Sequence, residues 1–235
     1  MEYDVTAVTV FCMNDEYIKI CLSSFMDLYP KVRTIVVDNS SPDHACANIL
    51  RNLWSYGQIT LIENGENLGH GTGLIQGIEK VKTKYVLLFD SDVHFKTDEL
   101  LPDMLALMDE DTYGVGYTMW HGYGGRHVRP HSVHEPQPEG SMRFMHPVCA
   151  LISMEQYVKW PPIDSLCAGG SKHHGAPTSS IMEAIDKAKM GHIIKHLPES
   201  AYVDCKYWHH TSGGVRLALR KIAQDAERNS TNSSL

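Results

Sequence analysis

A chain of 235 residues has room for one domain with a sizeable core, or for one domain plus an arm. Hydrophobic residues at 43%, charged residues at 21% and a formal net charge of −7 fit a folded globular protein and exclude the strong basic face that broad nucleic-acid coating needs. No apolar run reaches the roughly 18 residues of a membrane span, the acidic start MEYD is unlike a secretory leader, and the six scattered cysteines form no Cys-x-x-Cys pair, so the expectation is a cytoplasmic protein with reduced thiols.

Residues 5–12, VTAVTVFC, are apolar and β-branched and predict a buried strand. Asp15–Leu28 sets Ile18, Ile20, Cys21, Phe25 and Leu28 at helical spacing, and Pro30 closes it. Val32–Val37 predicts a second buried strand ending at Asp38; polar punctuation, NSSPDHA, and a short helix to about Leu53 follow. Gln58–Ile62 predicts a third strand and Gly69–Lys80 a helix entered through glycines. Tyr85–Phe89 predicts a fourth strand ending at Asp90, Asp98–Met108 a helix and Tyr113–Met119 a fifth strand. Apolar strands alternating with helices imply a parallel sheet covered on both faces, with ligands at the carboxyl ends of its strands. Asp38 and Asp90 both stand at such ends. The pattern breaks over Trp120–His146, which holds three prolines and five histidines. It predicts a long loop, read as a lid rather than a second metal site. Beyond it come a strand at Pro147–Ile152, a helix at Glu155–Trp160, a helix at Ser179–Met190 stopped by Gly191 and a short strand beginning at Ile193–Ile194. An amphipathic helix at 214–227 and a polar end at 229–235 complete the chain. The expected organisation is one domain over 1–235, divided at 1–119, 120–213 and 214–235.

Four constellations carry chemistry. Asp90-Ser91-Asp92 directly follows the apolar run Tyr85–Phe89. In an extended stretch, acids two positions apart point the same way, and their charges repel unless a cation lies between them. Carboxylate oxygens suit Mg2+ or Mn2+, and such an ion would neutralise a diphosphate leaving group; a polar turn after a strand is the plain alternative. VVDNSS, residues 36–41, ends a strand in an acid able to accept hydrogen bonds from a ribose or a uracil ring, or in an ordinary Asx turn. Glu63–Gly71 is a glycine-rich entry to a helix, whose amides can approach a phosphate. YWHHTSGG, residues 207–214, sets two adjacent histidines before a flexible Gly-Gly and could supply an imidazole to the metal.

In this order, VVDNSS, ENLGHGTGLIQGI, YVLLFDSDVHF, HGAP at 174–177 and YWHHTSGG resemble the family-2 glycosyltransferases of the GT-A fold, through residues 5–119 and more loosely through 145–215. The resemblance implies an α/β, Rossmann-like, mostly parallel central sheet flanked by helices, with a C-terminal acceptor-side segment. Residues 1–119 would then be the nucleotide-sugar-binding half and 120–213 the acceptor-side half. Carried over position by position, Asp38, with Asn39 beside it, meets the donor's base or ribose. Asn67, Gly69 and Gly71 border the donor pocket, and Asp90 and Ser91 lie near the ribose. Asp90 and Asp92, as the DXD motif, hold Mn2+ or Mg2+, with His210 or His209 completing the metal site. One departure stands out: inverting members carry a Glu-Asp pair upstream of the glycine that ends the next helix, and counting back from Gly191 gives Ser179 and Ser180. Neither is a base unaided. Asp164 and His174 are the nearest candidates for that role, or the reaction retains configuration and needs none.

The implied reaction moves a hexosyl or pentosyl group from a nucleotide-sugar, a UDP-sugar foremost, to an acceptor hydroxyl. Positioning and charge neutralisation supply most of the acceleration. The acceptor stays open among a glycan, a lipid-linked sugar and a nucleic acid; Arg126, Arg129, Arg216, Arg220 and Lys221 suit an anionic one. The helix at 214–227 could lie on a membrane, making the protein peripheral to it, or pack on a partner, with core packing the commoner use of such a face. A nucleotidyltransferase making nucleotide-sugars would carry a basic, glycine-rich phosphate loop after its first strand, where this chain has FCMND. A non-catalytic nucleotide-sugar-binding module would have no use for both acids and the late histidine.

Overall fold

The computed structural model describes residues 3–13, 15–40, 43–122, 127–128, 141–163, 179–197 and 206–210. In chain order these form β1 (Val5–Phe11), α1 (Asp15–Leu28), β2 (Arg33–Asp38), α2 (Ala47–Ser55), β3 (Thr60–Glu63), α3 (His70–Ile78), β4 (Tyr85–Phe89) and β5 (Val93–Phe95). There follow α4 (Leu100–Ala106), β6 (Gly114–Gly122), β7 (His127–Val128), β8 (Ser141–Ser153), α5 (Met154–Tyr157), α6 (Ser179–Lys187), a 3-10 turn at Gly191–Ile193, β9 (Ile194–His196) and β10 (Trp208–His210). Every residue of β1 is buried, as in a strand covered on both faces. Helix α1 buries Ile18, Cys21, Leu22 and Phe25, a single stripe at helical spacing.

Strands β3, β2, β1, β4, β8, β6 and β7 lie side by side in that order, and β9 adds to β6. The first four are mutually parallel, whereas β8 runs antiparallel to both β4 and β6. From β1 the chain passes outward to β2 and β3, then returns to place β4 on β1's other side. That reversal opens a crevice at the carboxyl ends of β1 and β4, the place where open α/β sheets bind ligands. The mostly parallel α/β sheet agrees with the architecture read from the sequence.

Two apolar layers sandwich the sheet. On one side Phe25 of α1 meets Phe89 and Phe95 with ring centroids 5.0 Å away, and those two rings stand 5.1 Å apart edge to face. On the other side α3 lies close against β1, because Gly73 and Gly77 present no side chain there. A Cβ on Gly73 would come within 2.7 Å of Val10 Cγ1, and one on Gly77 would run into Val8 Cγ1.

The structure corrects the sequence reading of several elements. The predicted loop Trp120–His146 is strand at both ends: β6 continues to Gly122, and β8 begins at Ser141, pairing Gly122 with Ser141 and Tyr117 with His146. Two further strands, β5 and β10, were not predicted and pair antiparallel in a small sheet of their own. Helix α4 covers only Leu100–Ala106 of the expected Asp98–Met108. The amphipathic stretch at 214–227 lies outside the described residues. No helix among the described residues is long and apolar enough to cross a membrane.

Substituting Gly77→Ala should be unfavourable despite alanine's better helix propensity. Overpacking a stiff valine costs about 1–3 kcal/mol, against about 1 kcal/mol gained from propensity. Urea unfolding is expected to show a net loss of up to about 2 kcal/mol. Unchanged stability would mean that α3 can ride outward from β1 without penalty.

Candidate functional site

The acidic pair sits in a turn. The Val93 amide donates to the Asp90 carbonyl at 3.3 Å, closing Asp90-Ser91-Asp92-Val93 into a four-residue reversal. This overturns the extended geometry expected for the two acids; the turn, not strand alternation, sets where they stand. Both lie close enough to the buried Cys21 thiol to act on it: burial pushes that thiol well up, and the charges of Asp92 and Asp90 push it further. Cys21 also donates to the Asp90 carbonyl at 3.6 Å. The two ends of the segment are fixed by Phe89 and Phe95, both fully buried against Phe25. The neighbouring strand adds a further hold: one step beyond the pair Phe89–Cys149, the Val148 carbonyl of β8 accepts the Asp90 amide at 3.2 Å.

The ends of β2 and β3 meet α3 through a chain of amides. Asn39 donates to the Gly69 carbonyl at 3.0 Å and accepts from Asn64 at 2.6 Å. Asn64 and Gln76 exchange hydrogen bonds at 2.8 and 3.0 Å. Asn67 accepts from the Gly69 amide at 2.9 Å, an Asx turn that shapes the entry to α3. Gly69 has φ +91°, a conformation that a Cβ would strain. Asn39 is thus buried as a brace, while Gly69 and Gly71 line the buried start of α3. The first residue of α3, His70, reaches to 3.7 Å from Asp90 with its Nε2. The helix N-terminus therefore stands beside the acidic turn, joining the donor-side signals to the carboxylate pair.

Asp38 is 3% exposed. One of its oxygens accepts the Ser40 amide at 2.8 Å, and the other lies 2.7 Å from His44 Nε2. The sequence reading missed His44, which lay in polar punctuation, and Asp15, which opens α1.

The late histidines come back to the acidic turn. Strand β10 pairs with β5 so that Trp208 stands opposite Phe95, His209 opposite His94 and His210 opposite Val93. The backbone of both candidate imidazoles thus runs beside the strand that leaves Asp92. A polar latch seats this strand: the Tyr207 hydroxyl donates to Asp103 of α4, and Lys206 pairs with Glu99 at 2.9 Å and Asp103 at 3.2 Å. The Lys96 amide donates to the Tyr207 carbonyl at 2.8 Å. The Tyr207 hydrogen bond, with help from Lys206, holds the Asp103 carboxyl below its ordinary value.

Oxygen donors at Asp90 and Asp92 fit a hard divalent cation. Among the described residues no three His, Cys, Asp or Glu side chains form a metal-holding cluster. The candidate bases Asp164 and His174 lie outside the described residues, whereas Ser179 and Ser180 open α6.

The family model for glycosyl transferase family 2 matches residues 6–173. No curated protein matches the chain. Among solved structures, it is similar to the mannosyltransferase PcManGT from Pyrobaculum calidifontis in complex with GDP-Man and Mn2+, at 15% identity and a TM-score of 0.59, covering 85% of this chain and 56% of that one. It is similar to S. aureus TarS 1–349 at 17% identity and a TM-score of 0.58, covering 95% and 64%. The same fragment in complex with UDP-GlcNAc gives 16% identity and a TM-score of 0.56, covering 91% and 61%. At such identities the likeness is one of fold, and this chain spans less than two thirds of those chains' length.

Replacing Asp103→Ala should loosen the latch. Amide hydrogen exchange is expected to quicken at residues 93–96 and 208–210 and to stay unchanged in β1 and β4. Because Asp103's carboxyl is depressed in the folded state, its contribution is complete above the ordinary carboxylate range and fades as pH falls through it. The variant should accordingly lose less stability than the parent on acidification. Unchanged exchange at 93–96 would show that the latch holds nothing.

Proposed function

The chain belongs to glycosyl transferase family 2, and on that premise we propose that it moves a sugar from a nucleoside-diphosphate donor, a UDP-sugar foremost, to an acceptor hydroxyl. The observation that carries this reading is the return of β10 to β5, which brings the backbone of His209 and His210 beside the acidic turn at the mouth of the sheet's crevice. Nothing in the fold of residues 93–95 requires histidines opposite them; a site that needs an imidazole beside two carboxylates does.

In this reading Asp90 and Asp92 hold Mn2+ or Mg2+, with His210 or His209 as the further ligand. When bound, the cation supplies charge neutralisation at the diphosphate. The chain's own residues do the rest. Asp38, at the end of β2, meets the base or ribose, and Ser91 and Asp90 border the ribose. Gly69 and Gly71 let the start of α3 come close to the donor, where the positive end of the helix favours an anion. His70 is added to this set by its approach to Asp90. Residues 120–213 contribute the acceptor side. An inverting reaction takes its proton on Asp164 or His174, and a retaining one needs no such base. Two proteins similar in fold have structures in complex with nucleotide-sugars, GDP-Man in one and UDP-GlcNAc in the other, which supports a donor of this class.

Incubation with a panel of radiolabelled nucleotide-sugars and Mn2+ should release free nucleoside diphosphate. Asp92→Asn is expected to lower kcat by about 10²–10³-fold or more, as removal of a charge-stabilising group does, with the melting temperature unchanged. Full turnover by a folded Asp92→Asn enzyme would refute the role of the acidic pair. Pyrophosphate release from a nucleoside triphosphate would point to nucleotidyl transfer instead.

A further inference from the structure

His44 lies in the turn between β2 and α2, and its side chain is 5% exposed. Its Nε2 is 2.7 Å from Asp38 Oδ2 and its Nδ1 is 2.9 Å from Asp15 Oδ1. One ring therefore spans two carboxylates that belong to different elements. The Cys46 amide also reaches His44 Nδ1, at 3.2 Å, so the ring, both acids and the start of α2 meet in one polar cluster.

The surroundings are built around this contact. Burial pushes the Asp15 carboxyl up, yet hydrogen bonds from His44 and Cys46 bring it below its ordinary value. The Cys46 amide donates to the same Asp15 oxygen at 2.9 Å, and the Ala47 amide donates to the His44 carbonyl at 3.1 Å, so α2 starts from the bridge. The ring rests on Phe11, the last residue of β1, with centroids 5.2 Å apart. Asp38's other oxygen is already engaged by the Ser40 amide.

We infer that His44 is a positioning residue of the donor site: held between Asp15 and Asp38, it fixes the Asp38 carboxylate where the nucleotide arrives. The inference rests on the reading above that Asp38 meets the donor's nucleoside. Without His44, Asp38 loses the ring that ties its Oδ2 to Asp15 and the start of α2, and its aim at a nucleoside becomes worse. The chemistry at the anomeric carbon lies elsewhere, so the loss should fall on binding rather than turnover.

A double-mutant cycle on the full chain tests this, with UDP plus Mn2+ as the calorimetric probe and the active nucleotide-sugar for kinetics. His44→Gln should raise the UDP Kd and the donor KM by about tenfold, the worth of one charged hydrogen bond, while kcat changes by less than about threefold. Adding Asp15→Asn should restore most of the affinity. The introduced glutamine can donate to Asp38 through its amide and accept through its carbonyl from the introduced asparagine, so the bridge is rebuilt from neutral groups. A role in packing alone predicts losses that add, because the second substitution refills no space. If His44→Gln fails to fold, the double variant decides: folded with near-parental affinity supports the bridge, folded with lost affinity refutes it. Parental UDP affinity in folded His44→Gln also refutes it. The donor reading fails separately, by absence of UDP binding in the parent chain or by undiminished binding in Asp38→Ala.

Discussion

Two carboxylates two residues apart repel each other, and they stay together only if the chain on both sides of them is held. Here the holding is done by three rings. Phe89 ends β4 and Phe95 ends β5, both are buried against Phe25 of α1, and the Asp90–His94 segment is the short arc between them. Pulling the arc outward would expose aromatic surface that the core now buries, a penalty of a few kcal/mol for each ring. The repulsion between the acids is therefore borne by packing, and a charged turn can be kept ready for a cation without collapsing or splaying.

Much of the rest of the molecule is fitted to that arc. The β4–β8 ladder runs one step past Phe89 and sets the Val148 carbonyl on the Asp90 amide. Glycines on α3 allow the helix to approach β1 and so deliver His70 to Asp90. The last described strand returns across more than a hundred residues of chain to pair with β5, seated by Tyr207 and Lys206 on α4. On the far side of the crevice, Asp38 is held by His44 and Ser40, and Asn39 by Asn64 and Gly69. Each group proposed to meet the donor on this side thus sits at the end of a strand or the start of a helix and is held by neighbours, which is what an aligned site requires.

The parallel half of this fold was legible in the sequence because buried strands write themselves as uninterrupted β-branched runs: VTAVTVF and TIVV need no tertiary information. Asp38 and Asp90 were legible for the same reason, each being the first charge after such a run. What was not legible has physical causes. Whether Asp90 and Asp92 lie in an extended stretch or a turn depends on the Val93-to-Asp90 hydrogen bond, which no periodicity encodes. Strands β5 and β10 have three residues each and exist only as a pair. The ends of the Trp120–His146 segment are strand because β8 has β4 on its other side at Phe89–Cys149 and continues past it along β6, which outweighs local glycine and histidine content. His44 looked like one polar residue in a turn, and only the approach of α1 to β2 reveals the two acids around its ring. The twin histidines near the end were singled out from composition and neighbourhood, and the pairing of β10 supplies the physical reason to group them with the acidic turn.

Anomalous diffraction at the manganese edge, from crystals grown with UDP and Mn2+, addresses the central claim most directly. One strong peak should lie in contact with carboxylate oxygens of Asp90 or Asp92 and with the nucleotide's diphosphate, with β10 alongside. Manganese bound to the diphosphate but remote from that turn, or nucleotide bound with no manganese at all, would contradict the account.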